Sequence, residues 1–284
     1  AMRIQTPTLV VLGLCALLVA AAWGWERHQA QREAVAVLAE EVATLQQRLE
    51  SRLASSLGPV EGIAMMISAD DVPASRVLER IGPRLVRRDP LLISLALAPD
   101  LVIRDVFPFE PNREAIGVDF RMPPVDLAAV RAFQSREAVL AGPFRLRQGN
   151  MALAIRVPYV RRWVDGQTDS GLVSIAIDFD ALMAASGFEA FSQRHRSTLI
   201  ALESDEHPRS VIWGDIDLAD DAPIIRDVVV PGGRWLWRVE RQPRVPLPLW
   251  NSALSWGVPL VAFLAGLAQW VSSRRSRESR AAPT

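Results

Sequence analysis

Two uncharged apolar runs frame a long stretch of mixed periodicity. The first, Thr8 to Trp25, is TLVVLGLCALLVAAAWGW. About 18 helical residues cross a bilayer core, and Trp23 and Trp25 stand where an interfacial aromatic belt belongs. Ala20-Ala21-Ala22 offers the alternative of a signal-peptide cleavage site. The run is long for a signal core, however, and the helical pattern continues past it, which favours an uncleaved anchor. The second run, Leu247 to Val271, carries Trp250 and Trp256 near one end and Trp270 near the other; membrane helices tolerate a kink such as Pro259 would make. Arg274, Arg275, Arg277 and Arg280 follow it. Short basic flanks stay in the cytoplasm. The pattern therefore predicts a two-pass protein of the cell (inner) membrane. Both termini face inward, and 28–246 lies outside, in the periplasm where the cell has one.

Between the runs the period changes several times. Glu26 to Leu57 has no proline, and Val35, Leu38, Val42, Leu45 and Leu49 recur at alternating spacings of three and four, a helical seam. Such a seam packs either on its own domain or on a second copy as a dimeric stalk. Gly58-Pro59 does not clearly end the helix, because Val60 to Ile67 stays apolar. A second helix is expected over 74–86. Strands follow at Leu91–Ala98 and Leu101–Phe107, joined through Pro99-Asp100. A polar loop then carries Glu110, Asn112, Arg113, Glu114, Gly117 and Asp119. A helix is expected over 125–138 and a strand over 144–147. After a Gln148-Gly149-Asn150 turn come strands 151–160 and 171–179, separated by a polar turn at 165–170. Asp180 is read as the N-cap of a short helix over 181–186. This order predicts an α+β fold with a five-stranded antiparallel sheet. A smaller continuation has strands at 198–202, 211–213, 224–230 and 234–241, with Trp235 and Trp237 on one face. The expected organisation is a transmembrane helix at 8–25, a stalk helix at 26–57 and a distal subdomain at 58–187. A membrane-proximal subdomain at 188–246, a second transmembrane helix at 247–271 and a cytoplasmic tail at 272–284 complete it.

Composition narrows the chemistry. The chain has 284 residues with zero formal net charge, so no nucleic-acid footprint is indicated. Every basic residue is arginine, whose planar fork suits carboxylates and phosphates. Cys15 is the only cysteine, which rules out an intrachain disulfide and a cysteine zinc cluster. His28, His195 and His207 are not spaced as metal ligands and are expected on the surface. Asp178 and Asp180 are better explained by a strand end and a helix cap than by a metal. No nucleophile elbow, Walker loop or dinucleotide loop occurs. No catalytic residue, metal site or cofactor is expected.

The remaining candidates are polar groups at the first strand pair. Asn112 and Asp119 can fix the loop by bonding its own backbone, and Gly117 can supply a positive φ. In the functional reading Arg104, Asn112, Asp119 and Gln148 line a cavity and orient a small ligand. Arg104 stands inside an otherwise apolar strand, and facing inward it would need an anion.

The succession IRDVFPFEPNREAIGVDF, AGPFRLRQGNMALAIRVPYV and GLVSIAIDFDALMAASGF, flanked by two spans, resembles the CHASE domain. That family is an extracytoplasmic sensing module of bacterial diguanylate cyclases and histidine kinases and of plant cytokinin receptors. VVVPGGRWLW at 228–237 resembles the membrane-proximal end of such modules. The resemblance implies a PAS-like distal subdomain on a long stalk and a smaller proximal one. It implies a membrane receptor that binds an unknown small-molecule signal and acts as a homodimer through its stalk. The output is a cytoplasmic module, a cyclase or kinase, expected outside this chain. A membrane-anchored periplasmic module that binds a protein instead of a small molecule is the alternative.

Overall fold

The computed structural model describes residues 6–69, 73–146, 149–163, 166–202, 210–214, 218 and 223–241, with side chains from residue 13 onward, and separate positions within 257–271. The chain divides into one unit of 1–40 with 242–284 and a second of 41–241.

In the second unit, helix α1 (Thr6–Ala69) contributes its last part. Its Leu-, Ala-, Glu-, Gln- and Arg-rich sequence favours helix, and the helix runs straight through Pro59. Val42, Leu45, Leu49, Leu53, Ser56, Val60, Ile63 and Ile67 are buried. They recur about every 3.6 residues, so they form one continuous stripe along a straight helix. The seam is thus buried within its own chain from Leu38 onward. Leu53, which looks displaced from a heptad line, lies on the same stripe.

Helix α2 (Ala74–Arg88) leads to a five-stranded antiparallel sheet of β1 (Leu92–Pro99), β2 (Asp105–Phe107), β3 (Val139–Arg145), β4 (Met151–Arg162) and β5 (Thr168–Asp178). The strand order is β2-β1-β5-β4-β3. The α+β class and the five antiparallel strands match the sequence reading. β2 is shorter than the sequence pattern suggests. Asp100 and Leu101 turn with φ of 47° and 64°, and 101–103 then bonds the loop instead. Phe120 N donates to Leu101 O, Ile103 N to Val118 O and Gly117 N to Ile103 O. Helix α3 (Phe109–Asn112) and one 3-10 turn lie within that loop. Helix α4 (Leu127–Ser135) starts at the Asp126 cap, whose Oδ1 accepts from Ala129 N at 2.8 Å. Helix α5 (Phe179–Ser186) is capped by Asp178, not Asp180. Phe179 is buried, so the helix begins at the core rather than after it.

Helix α6 (Phe188–Ser192) leads into a four-stranded sheet of β6 (Ser197–Leu202), β7 (Ser210–Gly214), β8 (Ile224–Val230) and β9 (Gly233–Val239), in the order β7-β6-β9-β8. Trp235 and Trp237 are buried, and Phe188 and Phe191 pack on Trp237 at 4.6 and 5.4 Å. His195 is not on the surface: it is buried beside Phe191, 3.7 Å from Glu41. Burial pulls its pKa below the usual histidine value, against the opposing pull of Glu41. On β8, Val229 N donates to Glu50 Oε1 and Asp227 O accepts from Gln46 Nε2, both at 2.8 Å. The i, i+4 spacing on α1 matches alternate backbone groups of an extended strand. Side chains of the helix therefore serve the strand edge as a neighbouring strand would.

In the first unit, α1 exposes Leu14, Leu17, Leu18 and Trp25. A Cβ placed on Gly257 would meet the Val19 side chain at 2.7 Å, so the two apolar segments approach closely there. Among the described residues no helix is long and apolar enough to cross a membrane. The side chains of 8–12, most of 247–271 and all of 272–284, including the four flanking arginines, lie outside those residues, as does His207.

Candidate functional site

The five-stranded sheet has two faces of different bulk. Across one face β1 presents Ser94 and Ala96, β5 presents Ala176 and Ser174, and β4 presents Ala154 and Arg156; Ser94 pairs with Ala176 and Ala96 with Ser174. Ala154 and Arg156 pair with the same two β5 residues. The opposite face carries Leu95, Leu97, Ile175, Ile177, Leu153 and Ile155, all buried. Period-2 alternation assigns large residues to one side and small ones to the other. Against the small side, the segment 103–126 stands off and, with Phe144 to Leu146, borders a half-open cavity of about 840 Å³. Its volume arises because side chains too small to fill the gap floor it, while Phe120, Val118 and Pro123 wall it. A concave site of this size, with an apolar floor and charged groups at its wall and mouth, suits a small organic molecule with polar groups.

Arg156 is the buried charge on that floor, 5% exposed. One terminal nitrogen donates to Ser174 Oγ at 3.1 Å and the other to Asp126 Oδ2. The guanidinium lies over the Phe120 ring, 4.2 Å from its centre. Its Nε has no hydrogen-bond partner among the described residues. Burial pulls the Arg156 pKa down, and the Asp126 carboxylate opposes this; an arginine stays protonated all the same. Asp126 does two things at once, capping α4 and pairing with Arg156, so it ties the wall to the floor.

Of the residues predicted from sequence, Asn112 and Asp119 line the cavity. Asn112 is buried, and its Nδ2 donates to Pro108 O at 2.8 Å. Asp119 bonds Arg121 through the backbone N and Nε, both at 2.9 Å, which fixes the loop. The hydrogen bonds from Arg121 hold the Asp119 carboxyl below the usual carboxylate range. Arg104 is a correction: it is exposed and does not line the cavity. Ile103 and Val106 take the inward positions, and that choice turns Arg104 outward. Gln148 lies outside the described residues. Arg156, Asp126, Ser174 and Phe120 were not picked out from the sequence. The signal for Arg156 was present, since it is the one charge inside the apolar run Met151 to Val160. Among the described residues no group of three or more metal-ligating side chains gathers.

The fold of the chain is similar to that of a solved receptor ligand-binding domain. The ligand-binding domain of the amino-acid chemoreceptor PctC of Pseudomonas aeruginosa PAO1, in complex with GABA, superposes with a TM-score of 0.52 at 17% identity, covering 72% of this chain and 97% of that one. The PctB ligand-binding domain of the same organism, with L-Arg, gives 0.46 at 12% identity, covering 69% and 89%. An extracellular ligand-binding receptor from Desulfohalobium retbaense gives 0.44 at 13% identity; the match covers 72% of this chain but spans only 39% of that receptor. No curated protein matches the chain in sequence. The CHASE domain profile matches residues 63–210, more than half of the sequence. The chain belongs to the CHASE domain family, a sensory rather than catalytic module, and every residue lining the cavity falls inside the matched segment.

Proposed function

We propose that this protein is a membrane-anchored CHASE sensor that binds a small molecule in the cavity beneath segment 103–126. The binding changes the setting of α1 and is passed across the membrane to a cytoplasmic output module. The observation that carries this is the cavity of about 840 Å³ on the small-residue face, within the segment that matches the family. The fold neighbour that holds GABA supports a ligand of metabolite size. Asn112 and Asp119 contribute polar groups to the site, and we extend it to Gln148, which lies outside the described residues. The 8–25 and 247–271 runs act as the anchors, with both termini inside and the sensor in the periplasm. The exposure of Leu14, Leu17 and Leu18, from 57 to 69%, supports this, because an apolar surface of that kind calls for a lipid cover. Homodimerisation through the stalk would use α1 positions off the buried stripe, such as Val37, which is 66% exposed, since the seam from Leu38 onward is occupied by the chain itself.

A thermal-shift screen of the full chain in detergent micelles against a metabolite library tests the reading. A compound that binds the native state raises the melting temperature by mass action, about 2.7 kcal/mol at a hundred times its dissociation constant. At least one stabilising metabolite is expected. A screen without any, together with capture of a defined periplasmic protein, would replace the small-molecule reading by a protein-docking one.

A further inference from the structure

We propose that the ligand presents a carboxylate, and that Arg156 is the residue that reads it. The inference rests on the small-molecule reading above and adds the chemistry of the group that is recognised.

Three observations converge on Arg156. It lines the cavity yet is almost wholly buried. A buried cation with an unmet donor is costly to leave so, and its Nε has no acceptor among the described residues. The guanidinium is also held in place, by Ser174 on one terminal nitrogen, Asp126 on the other and Phe120 beneath. The plane is fixed with one donor, the buried Nε, left without an acceptor among the described residues, and an arginine edge of Nε and a terminal nitrogen is the group that binds a two-oxygen anion in paired hydrogen bonds. Asp126 already demonstrates that this guanidinium takes a carboxylate.

The surrounding charge decides how much anion the site tolerates. Asp126 balances Arg156, and Glu110, Glu114 and Asp119 line the outer cavity. Two further cations stand at the outer cavity: Arg113, 3.9 Å from Glu110, and Arg145, which donates to Gly149 O at 2.8 Å. Among the described residues a doubly charged phosphate would meet a lining of four carboxylates, Glu110, Glu114, Asp119 and Asp126, against three arginines, Arg113, Arg145 and Arg156. A single carboxylate on a largely apolar body meets less repulsion and leaves its carbon skeleton against Ala96, Ala154 and Ala176. Because Asp126 also caps α4, a carboxylate competing for Arg156 loosens the tie between floor and wall. Recognition and movement of the wall therefore share one contact.

The test uses the full chain in detergent micelles with benzoate, phenylacetate and hexanoate, each beside its primary amide, and with inorganic phosphate. Melting temperature and isothermal titration are the readouts. At least one carboxylate is expected to bind, its amide to bind at least about tenfold more weakly, and phosphate to leave the melt unmoved. Arg156→Lys keeps the charge but loses the planar fork, and a drop in carboxylate affinity of about tenfold is expected. Arg156→Met combined with Asp126→Asn removes both charges together, so a folded protein remains in which carboxylate binding is abolished. Equal binding of acid and amide, or carboxylate binding that survives in the double variant, overturns the proposal. Should the metabolite library yield only stabilisers without an anionic oxygen group, the carboxylate assignment fails while the sensor reading stands. Should no compound of any chemistry stabilise the chain, the sensor reading itself fails and takes this assignment with it.

Discussion

Leu49→Ala separates two uses of the stalk seam that look identical in sequence. Leu49 is 0% exposed within a single copy of the chain. Its neighbours along the stripe, Leu45 and Leu53, are equally enclosed, and Gly187 approaches so closely that a Cβ there would stand 2.9 Å from Leu45 Cδ2. The helix has little freedom to shift inward and fill a void, because Gln46 and Glu50 tie it to the edge of β8 on either side of that position. Truncation of a leucine at a site that cannot collapse costs about 3–5 kcal/mol. For a unit the size of 41–241, each kcal/mol moves the melting temperature by about 2–4 °C. A loss of about 6–20 °C is expected in the thermal unfolding of the purified chain, and the loss should not change over a tenfold range of protein concentration. Met65→Ala is the control on the same helix: Met65 is 67% exposed, and its truncation should stay within about 0.5 kcal/mol of the parent. A Leu49→Ala protein that melts with the parent, or whose deficit grows on dilution, would place the seam between two copies and refute the packing argument.

Two further predictions test other contacts. Tyr159 is buried with its hydroxyl unpartnered among the described residues, and burial, aided by Asp169, raises its pKa above the ordinary 10. The unfolded chain therefore ionises first, so stability is full below pH 10 and falls as pH rises beyond it; Tyr159→Phe should match or exceed the parent by about 1 kcal/mol at pH 7 and show a shallower alkaline loss in denaturant melts at pH 9 to 11, and an unchanged alkaline slope would refute the assignment. Glu50→Ala leaves Val229 N without its acceptor, and about 1 kcal/mol of lost local protection corresponds to roughly fivefold faster amide exchange there, measurable by hydrogen exchange with mass spectrometry, where unchanged exchange across β8 would show that the helix does not hold that edge.

Much of the architecture was legible as local pattern. The apolar period of α1, the alternation of β1, β4 and β5 and the paired tryptophans of β9 each depend only on side chains recurring at a helical or strand spacing, and the buried stripe and buried strand faces follow from them. Ends were less legible. Asp178 and Asp180 both suit a helix cap, and only the burial of Phe179 decides between them. The register of residues 101–104 was not legible at all, since the loop at 117–120 competes for their backbone groups from outside the strand.

The candidate site shows the same division more sharply. Arg104 and Arg156 are each the one arginine of a strand-like run; locally they differ only in the Asp105 beside the first, which does not settle which is enclosed. The chain by itself determined that two strand faces differ in bulk, because alanine and serine alternate with leucine and isoleucine wherever the chain goes. Tertiary structure alone decided which arginine is enclosed. Arg156 falls in a central strand beneath the wall and meets Asp126 and Ser174, 30 and 18 residues away. Arg104 falls beyond the turn at Asp100, where Ile103 and Val106 claim the interior and leave it in solvent. Burial of a charge depends on partners brought from distant segments, and periodicity carries no record of them.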